Sequence, residues 1–243
     1  MKNIVIAAGY ATRLYPLTEN FPKPLLKVGT RNILERMLDD IDPLPEIDSH
    51  IIVTNHRFAP IFEEWLSTVS YTKPITIIDD GTVSNETRLG AVRDMLLAIE
   101  RCDVDDDIMA LAADNILEFP LRGFVDYFKE KGTSVIMCHH EPELRRLQRT
   151  GVIAVDNDMR VLEMQEKPEK PVSNWAVPPF YIYSRKDLPL IKDCLSHGCG
   201  ADAPGNLAHY LAGATTLHAW KMPAGRFDIG SLDSYKEAQE RFK

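Results

Sequence analysis

Residues 4–26 read IVIAAGYATRLYPLTENFPKPLL. The apolar run Ile4–Ile6 ends in the small residues Ala7, Ala8 and Gly9. Tyr10, Ala11, Thr12 and Arg13 follow, and Lys23 stands ten residues after Arg13, between Pro22 and Pro24. An apolar strand, a turn of small residues and then fixed positive charge is the order that a site for a phosphorylated ligand requires. Small residues let backbone amides approach phosphate oxygens, and the cations offset charge that amides alone cannot balance.

The chain around this stretch alternates short β-rich runs with helical spacing. Asn3–Ala7, His50–Asn55, Ile75–Asp79, Ile108–Ala112 and Thr133–Cys138 are near-continuous apolar runs of the kind found in buried parallel strands. Ile33–Ile41, Phe58–Ser67, Leu89–Glu100 and Leu121–Lys131 between them carry helical periodicity. The alternation predicts a doubly wound α/β sheet. Ligands of such sheets bind at the carboxyl ends of the strands, and both the Gly9–Arg13 loop and Asp114 lie just past strand ends. Past about residue 140 the pattern becomes α+β. Gly151–Val155, Val161–Gln165, Ala176–Tyr183 and Thr215–Lys221 read as strands, and Lys186–Leu195, Gly205–Ala212 and Ser231–Phe242 as helices.

Composition narrows the function. With 36 acidic against 28 basic residues the net charge is −8, which argues against nucleic acid as a partner. Residues 1–36 reverse the balance with six Lys/Arg and two Glu, which suits a polyanionic small molecule and also fits a chance surface patch. No run approaches the roughly 20 apolar residues of a membrane span, and the apolar stretch at Ile4–Ala8 is too short for a signal peptide. The expectation is a cytoplasmic protein without membrane contact. Cys102, Cys138, Cys194 and Cys199 form no C-x-x-C pair and read as reduced, structural thiols. His139 and His140 would point to opposite faces of a strand, which argues against joint metal ligation. The acidic run Asp103–Asp107 lacks the glycine and the terminal glutamate of a calcium loop.

The opening stretch resembles the signature of the nucleotidyltransferases that make sugar nucleotides, roughly A-[AG]-G-x-G-[TS]-R-[LM]-x-P-x-T followed by P-K-x-[LM]. Ala8, Gly9, Thr12, Arg13, Leu14, Pro16, Thr18, Pro22, Lys23 and Leu25 match; Ala11 replaces the second glycine. Three later blocks resemble the same family in the same order. They are Ala113-Asp114-Asn115, Glu166-Lys167-Pro168 with Asn174-Trp175-Ala176, and Phe227-Asp228-Ile229-Gly230-Ser231. The resemblance implies a Rossmann-like, doubly wound mixed sheet with a smaller α+β lid over the acceptor. It implies one domain over residues 1–243, with a nucleotide-binding half to about residue 140 and an acceptor-binding half from about 141.

By the same resemblance Ala7–Thr12, Arg13 and Lys23 hold the nucleotide, with Arg13 and Lys23 as the catalytic cations. Asp114 and Asp228 would hold Mg2+. Taken alone, each aspartate also reads as a turn or helix cap. Gly151, Glu166, Lys167 and Asn174 would bind the acceptor, Lys167 at its phosphate and Glu166 at a sugar hydroxyl. Asn85 and Gly90 stand where relatives read a pyrimidine base, and equally fit a helix cap with a turn glycine. Arg88 reads as a specificity residue for an acidic acceptor or as a surface charge.

The implied reaction joins a nucleoside triphosphate, a pyrimidine favoured, to a sugar 1-phosphate, with release of pyrophosphate. Two alternatives stay open at this point. One is cytidylyl transfer to a non-sugar acceptor such as phosphocholine. The other is a non-catalytic sensor of nucleotide sugars. The sequence also leaves a homo-oligomer open.

Overall fold

The structure is a computed structural model and describes residues 1–243. The chain begins with β1 (Lys2–Ile6), makes single 3-10 turns at Thr12–Leu14 and Lys23–Leu25, and forms a two-residue hairpin of β2 (Lys27–Val28) and β3 (Arg31–Asn32). Strand and helix then alternate: α1 (Ile33–Ile41), β4 (Ser49–Thr54), α2 (Ala59–Thr68), β5 (Ile75–Asp79), α3 (Ala91–Arg101), β6 (Ile108–Ala112), β7 (Asn115–Leu117), α4 (Arg122–Lys131) and β8 (Ser134–His140). The second half adds α5 (Leu144–Leu147), β9 (Gly151–Val155), β10 (Val161–Glu166), β11 (Trp175–Val177) and β12 (Phe180–Tyr183). It closes with α6 (Pro189–Ser196), α7 (Gly205–Ala214), β13 (Leu217–Lys221), β14 (Arg226–Asp228) and α8 (Leu232–Arg241).

Ten strands form one mixed sheet in the order β10-β9-β11-β8-β12-β6-β1-β4-β5, with β13 parallel to β8. β1 lies parallel to both β4 and β6, and β5 parallel to β4, so the carboxyl ends of these four strands share one edge. Ile4, Ile51 and Val53 belong to one buried cluster, and Val5 and Ile52 to another. Successive strand residues face opposite sides, so these clusters are the two faces of the sheet. Phe62, Phe124 and Phe180 fill one, and Val92, Met95, Tyr183 and Leu207 the other. Burying each such side chain contributes roughly 1.5–3 kcal/mol, and that two-sided burial makes the fold doubly wound.

Several expected boundaries move. The strand read over Ala176–Tyr183 is two strands separated by Pro178 and Pro179, since proline offers no N–H to a ladder. The helix read from Lys186 starts at Pro189, in the first turn, where proline's missing donor costs nothing. A small antiparallel pair, β7 with β14, was not anticipated. The second half is continuous with the first: β12 inserts between β6 and β8, and β9–β11 extend the same sheet beyond β8. The region expected to form a lid is therefore an outgrowth of the sheet, with α7 laid against β10.

Candidate active site

Β1 delivers its loop to the common strand edge. The Ala7 amide donates to the Val53 carbonyl at 2.8 Å, and Asn55 Nδ2 donates to the Ala8 carbonyl at 2.9 Å. These bonds pin the loop from below and leave Gly9 exposed, with no protein atom within 4 Å of where a Cβ would stand. A side chain at Gly9 would meet no atom of the protein, so nothing within the protein itself demands glycine there. Tyr10 is buried against Phe58. Ala11 adopts φ 46° and ψ 43°, the left-handed region that glycine tolerates best. It is held there because its carbonyl accepts from the Thr18 hydroxyl at 2.8 Å and the Leu14 amide at 2.9 Å. Thr12 and Arg13 are exposed, and Arg13 makes no ion pair within the protein.

Lys23 is only 8% exposed. Its Nζ lies 3.2 Å from Asp114 Oδ2, across a chain separation of 91 residues. Asp114 follows β6, and its other oxygen accepts from Asn115 Nδ2 at 2.6 Å. Burial opposes ionisation of Asp114, but the Lys23 ammonium and that amide outweigh it and hold the carboxyl low. Asp228 ends β14 directly opposite Asn115, and the Ile229 amide donates to the Asp114 carbonyl at 3.0 Å. Burial and the Asp114 charge push the Asp228 carboxyl upward. Asp228 is not a helix cap: Ser231 caps α8, its hydroxyl accepting from the Ser234 amide. No three His, Cys, Asp or Glu side chains converge anywhere in the protein. Two carboxylates, one after β6 and one ending β14, suit a hard divalent cation whose other ligands are phosphates and water.

A second group forms at the end of β10. The Glu166 carboxylate lies against Gly151 of β9 and Gly205, the first residue of α7, where a Cβ would overlap Oε2. Burial pushes Glu166 above the usual carboxylate range, while Lys167, 3.8 Å away, pulls the other way. Lys167 is exposed with φ 49°, and its amide donates to the Thr150 carbonyl at 3.1 Å. Asn174 is exposed, and its carbonyl accepts from the Glu141 amide. A cavity of about 70 Å3 is lined by Ile6 and Ala112 from the strand ends and by Ala91, Tyr181 and Pro204.

Gly90, Asn85 and Arg88 each have structural partners within the protein. Gly90 precedes α3 at φ 92°, with Ala201 and Asp202 packed on it, so backbone conformation and close approach explain the glycine. The Asn85 carbonyl accepts from Arg88. Arg88 itself pairs with Asp202 at 2.6 Å, so its partner is part of the protein. Sequence reasoning missed Gly205, Asp202 and Arg226, whose guanidinium donates to the Asn115 side chain; only Pro204-Gly205 carried any local signal, that of a turn. His139 and His140 form no cluster, and His140 stands edge-on to Trp175.

The profile of the nucleotidyl transferase family matches residues 2–243. The chain belongs to that family. A nucleotidyl transferase relative, the UTP–glucose-1-phosphate uridylyltransferase AglF of Haloferax volcanii, is 26% identical over 252 residues, covering all of this chain and 97% of AglF. The bifunctional protein GlmU of Methanocaldococcus jannaschii is 27% identical over 195 residues; the match takes in 79% of this chain and 42% of GlmU. Among solved structures, a UDP-glucose pyrophosphorylase complexed with UDP-glucose superposes with a TM-score of 0.81 at 21% identity, covering 99% of this chain and 97% of that one. This last likeness establishes the nucleotidyl transferase fold over the whole chain. No helix is long and apolar enough to cross a membrane.

Proposed function

We propose that this protein is a cytoplasmic sugar-1-phosphate nucleotidylyltransferase that makes a nucleoside diphosphate sugar and pyrophosphate. The observation that carries the reading is the Lys23–Asp114 pair, with Asp228 set opposite Asn115 by the β7–β14 ladder. An oxygen of the acceptor phosphate attacks the α-phosphorus of the triphosphate. The bond from that phosphorus to the bridging oxygen breaks, and pyrophosphate leaves with the electron pair. A phosphate oxygen is already anionic near neutral pH, so no general base is needed, and catalysis is positioning and charge neutralisation. Arg13, free of internal partners, and Lys23 are the cations for the triphosphate. Lys167 takes the acceptor phosphate, with Gly151, Glu166 and Asn174 around the sugar. Asp114 and Asp228 would hold Mg2+, which when bound supplies further neutralisation of phosphate charge. Asn85 and Gly90 are assigned to the base, a pyrimidine, by the resemblance alone.

Pyrophosphate release over a grid of four nucleoside triphosphates and several phosphorylated acceptors, with and without Mg2+, tests this. At least one triphosphate with a sugar 1-phosphate is expected to give release that needs both substrates and the metal. Lys23→Ala should lose about 100-fold or more in turnover, the scale set by removing one preorganised charge from a transition state. Absence of release with every pair would overturn the proposal. An Asp114→Ala/Asp228→Ala variant of full activity would remove the metal assignment. Phosphocholine in the same grid tests non-sugar transfer, which the relatives do not favour. A purely regulatory role is also disfavoured, because Arg13, Lys23, Asp114 and Asp228 are all present.

A further inference from the structure

We infer that Arg88 and Asp202 form a clasp joining the loop before α3 to the loop before α7, so that the nucleotide and acceptor halves of the site set each other's geometry. The inference rests on the proposed function for which substrate each half binds. Its structural part stands on the contacts alone.

Arg88 Nε donates to Asp202 Oδ1 at 2.6 Å, and Arg88 Nη1 donates to the Asn85 carbonyl at 2.7 Å. One guanidinium thus grips the acceptor half with one nitrogen and the base-side loop with another. The backbone repeats the connection. The first N–H groups of a helix have no partner within it, and Gly90 has no side chain to cap α3. The Val92 amide donates to the Ala201 carbonyl at 2.9 Å and the Ala91 amide to the Asp202 carbonyl at 3.3 Å. The other half of the protein therefore caps α3. Gly90 is what permits the approach: a Cβ there would stand 2.6 Å from the Ala201 oxygen.

The far side of the clasp leads to the acceptor group. Asp202 is three residues before Gly205, on which the Glu166 carboxylate rests. Asn206 Nδ2 donates to the Gly200 carbonyl at 2.6 Å and keeps this loop short and stiff. His209 of α7 reaches back to the Met164 carbonyl of β10. A displacement of residues 201–202 would accordingly reach Asn85 through Arg88 in one direction and Glu166 through Gly205 in the other. Arg88 and Asp202 are positioning residues; neither needs to touch a substrate.

The test compares Arg88→Ala, Asp202→Ala, the double variant and the charge swap Arg88→Asp/Asp202→Arg. Kinetics should show crossed effects. Asp202→Ala raises KM for the triphosphate, and Arg88→Ala raises KM for the sugar phosphate, each about three- to fivefold, the scale of a partly exposed ion pair. Turnover stays within about twofold, the double variant is no worse than either single, and the swap recovers most of the loss. Amide hydrogen exchange on the ligand-free protein should match. Asp202→Ala speeds exchange over residues 85–92, and Arg88→Ala over 200–206. Effects confined to the mutated half, multiplying in the double variant with no rescue by the swap, would overturn the inference. If the wild type turns over no substrate pair, the functional reading fails by itself. The exchange arm still decides whether the clasp couples the halves.

Discussion

Ala11 shows what a single departure from a motif costs. Its left-handed backbone carries a penalty of roughly 1–2 kcal/mol for an L-residue with a Cβ, and the bonds from Thr18 and Leu14 hold it there. Ala11→Gly should stabilise the protein by about 0.5–1 kcal/mol, because glycine removes most of the strain while its unfolded chain is freer. Chemical denaturation checks this, and a loss of stability would show that the methyl group is packed to advantage. Asp94, in the first turn of α3, is a second local conflict. It is 3% exposed, its Oδ1 has no partner, and burial together with Asp80 pushes its carboxyl up to about 7. The folded pKa lies above the unfolded value near 3.9, so its stabilising effect is complete below about pH 4 and is lost as pH rises to about 7. Asp94→Asn should thus gain on the wild type by about 2 kcal/mol between pH 5.5 and 8 in urea unfolding. A constant difference across that range would refute the assignment. The motifs made Lys23, Asp114 and Asp228 legible as residues. That Lys23 and Asp114 would pair directly was not legible, since the partners are 91 residues apart.

At the scale of elements, local chemistry decided what could be read. Helix α1 is announced by Asn32 and Glu35, which form a reciprocal capping box ahead of an apolar stripe. The β7–β14 pair that holds Asp228 beside Asp114 was hidden because three-residue strands carry too little periodicity to register. Pro204-Gly205 signalled a turn, but the contact of Gly205 with Glu166 was not legible, since it exists only where α7 meets β10. Gly205→Ala inserts a methyl into the Glu166 carboxylate and puts a better helix former at the start of α7. The carboxylate can swing away, so the fold should survive with little change in thermal midpoint. The KM for the acceptor should rise about tenfold, equivalent to about 1.4 kcal/mol. An unchanged KM would place Glu166 outside the acceptor site.

For the whole molecule, the alternation of strands and helices foretold the parallel sheet, but nothing in the local pattern said that β12 would enter it. Phe180–Tyr183 pairs with Leu111–Ile108 on one side and with Ile136 and Val135 on the other. Residues 1–140 by themselves should therefore fail to give a cooperatively folded unit, and the intact chain should unfold in one transition by calorimetry. Two separated transitions would show that the halves fold independently. The same insertion bears on biosynthesis. At roughly 5–20 residues per second, the ribosome needs about 2–8 s to add the 40 residues from His140 to Phe180. During that interval the unpaired edges of β6 and β8 are open to other strands. The nascent chain is thus most prone to aggregate once residues 1–140 are made and β12 is not, and slow translation or scarce chaperones would reduce its yield at that point.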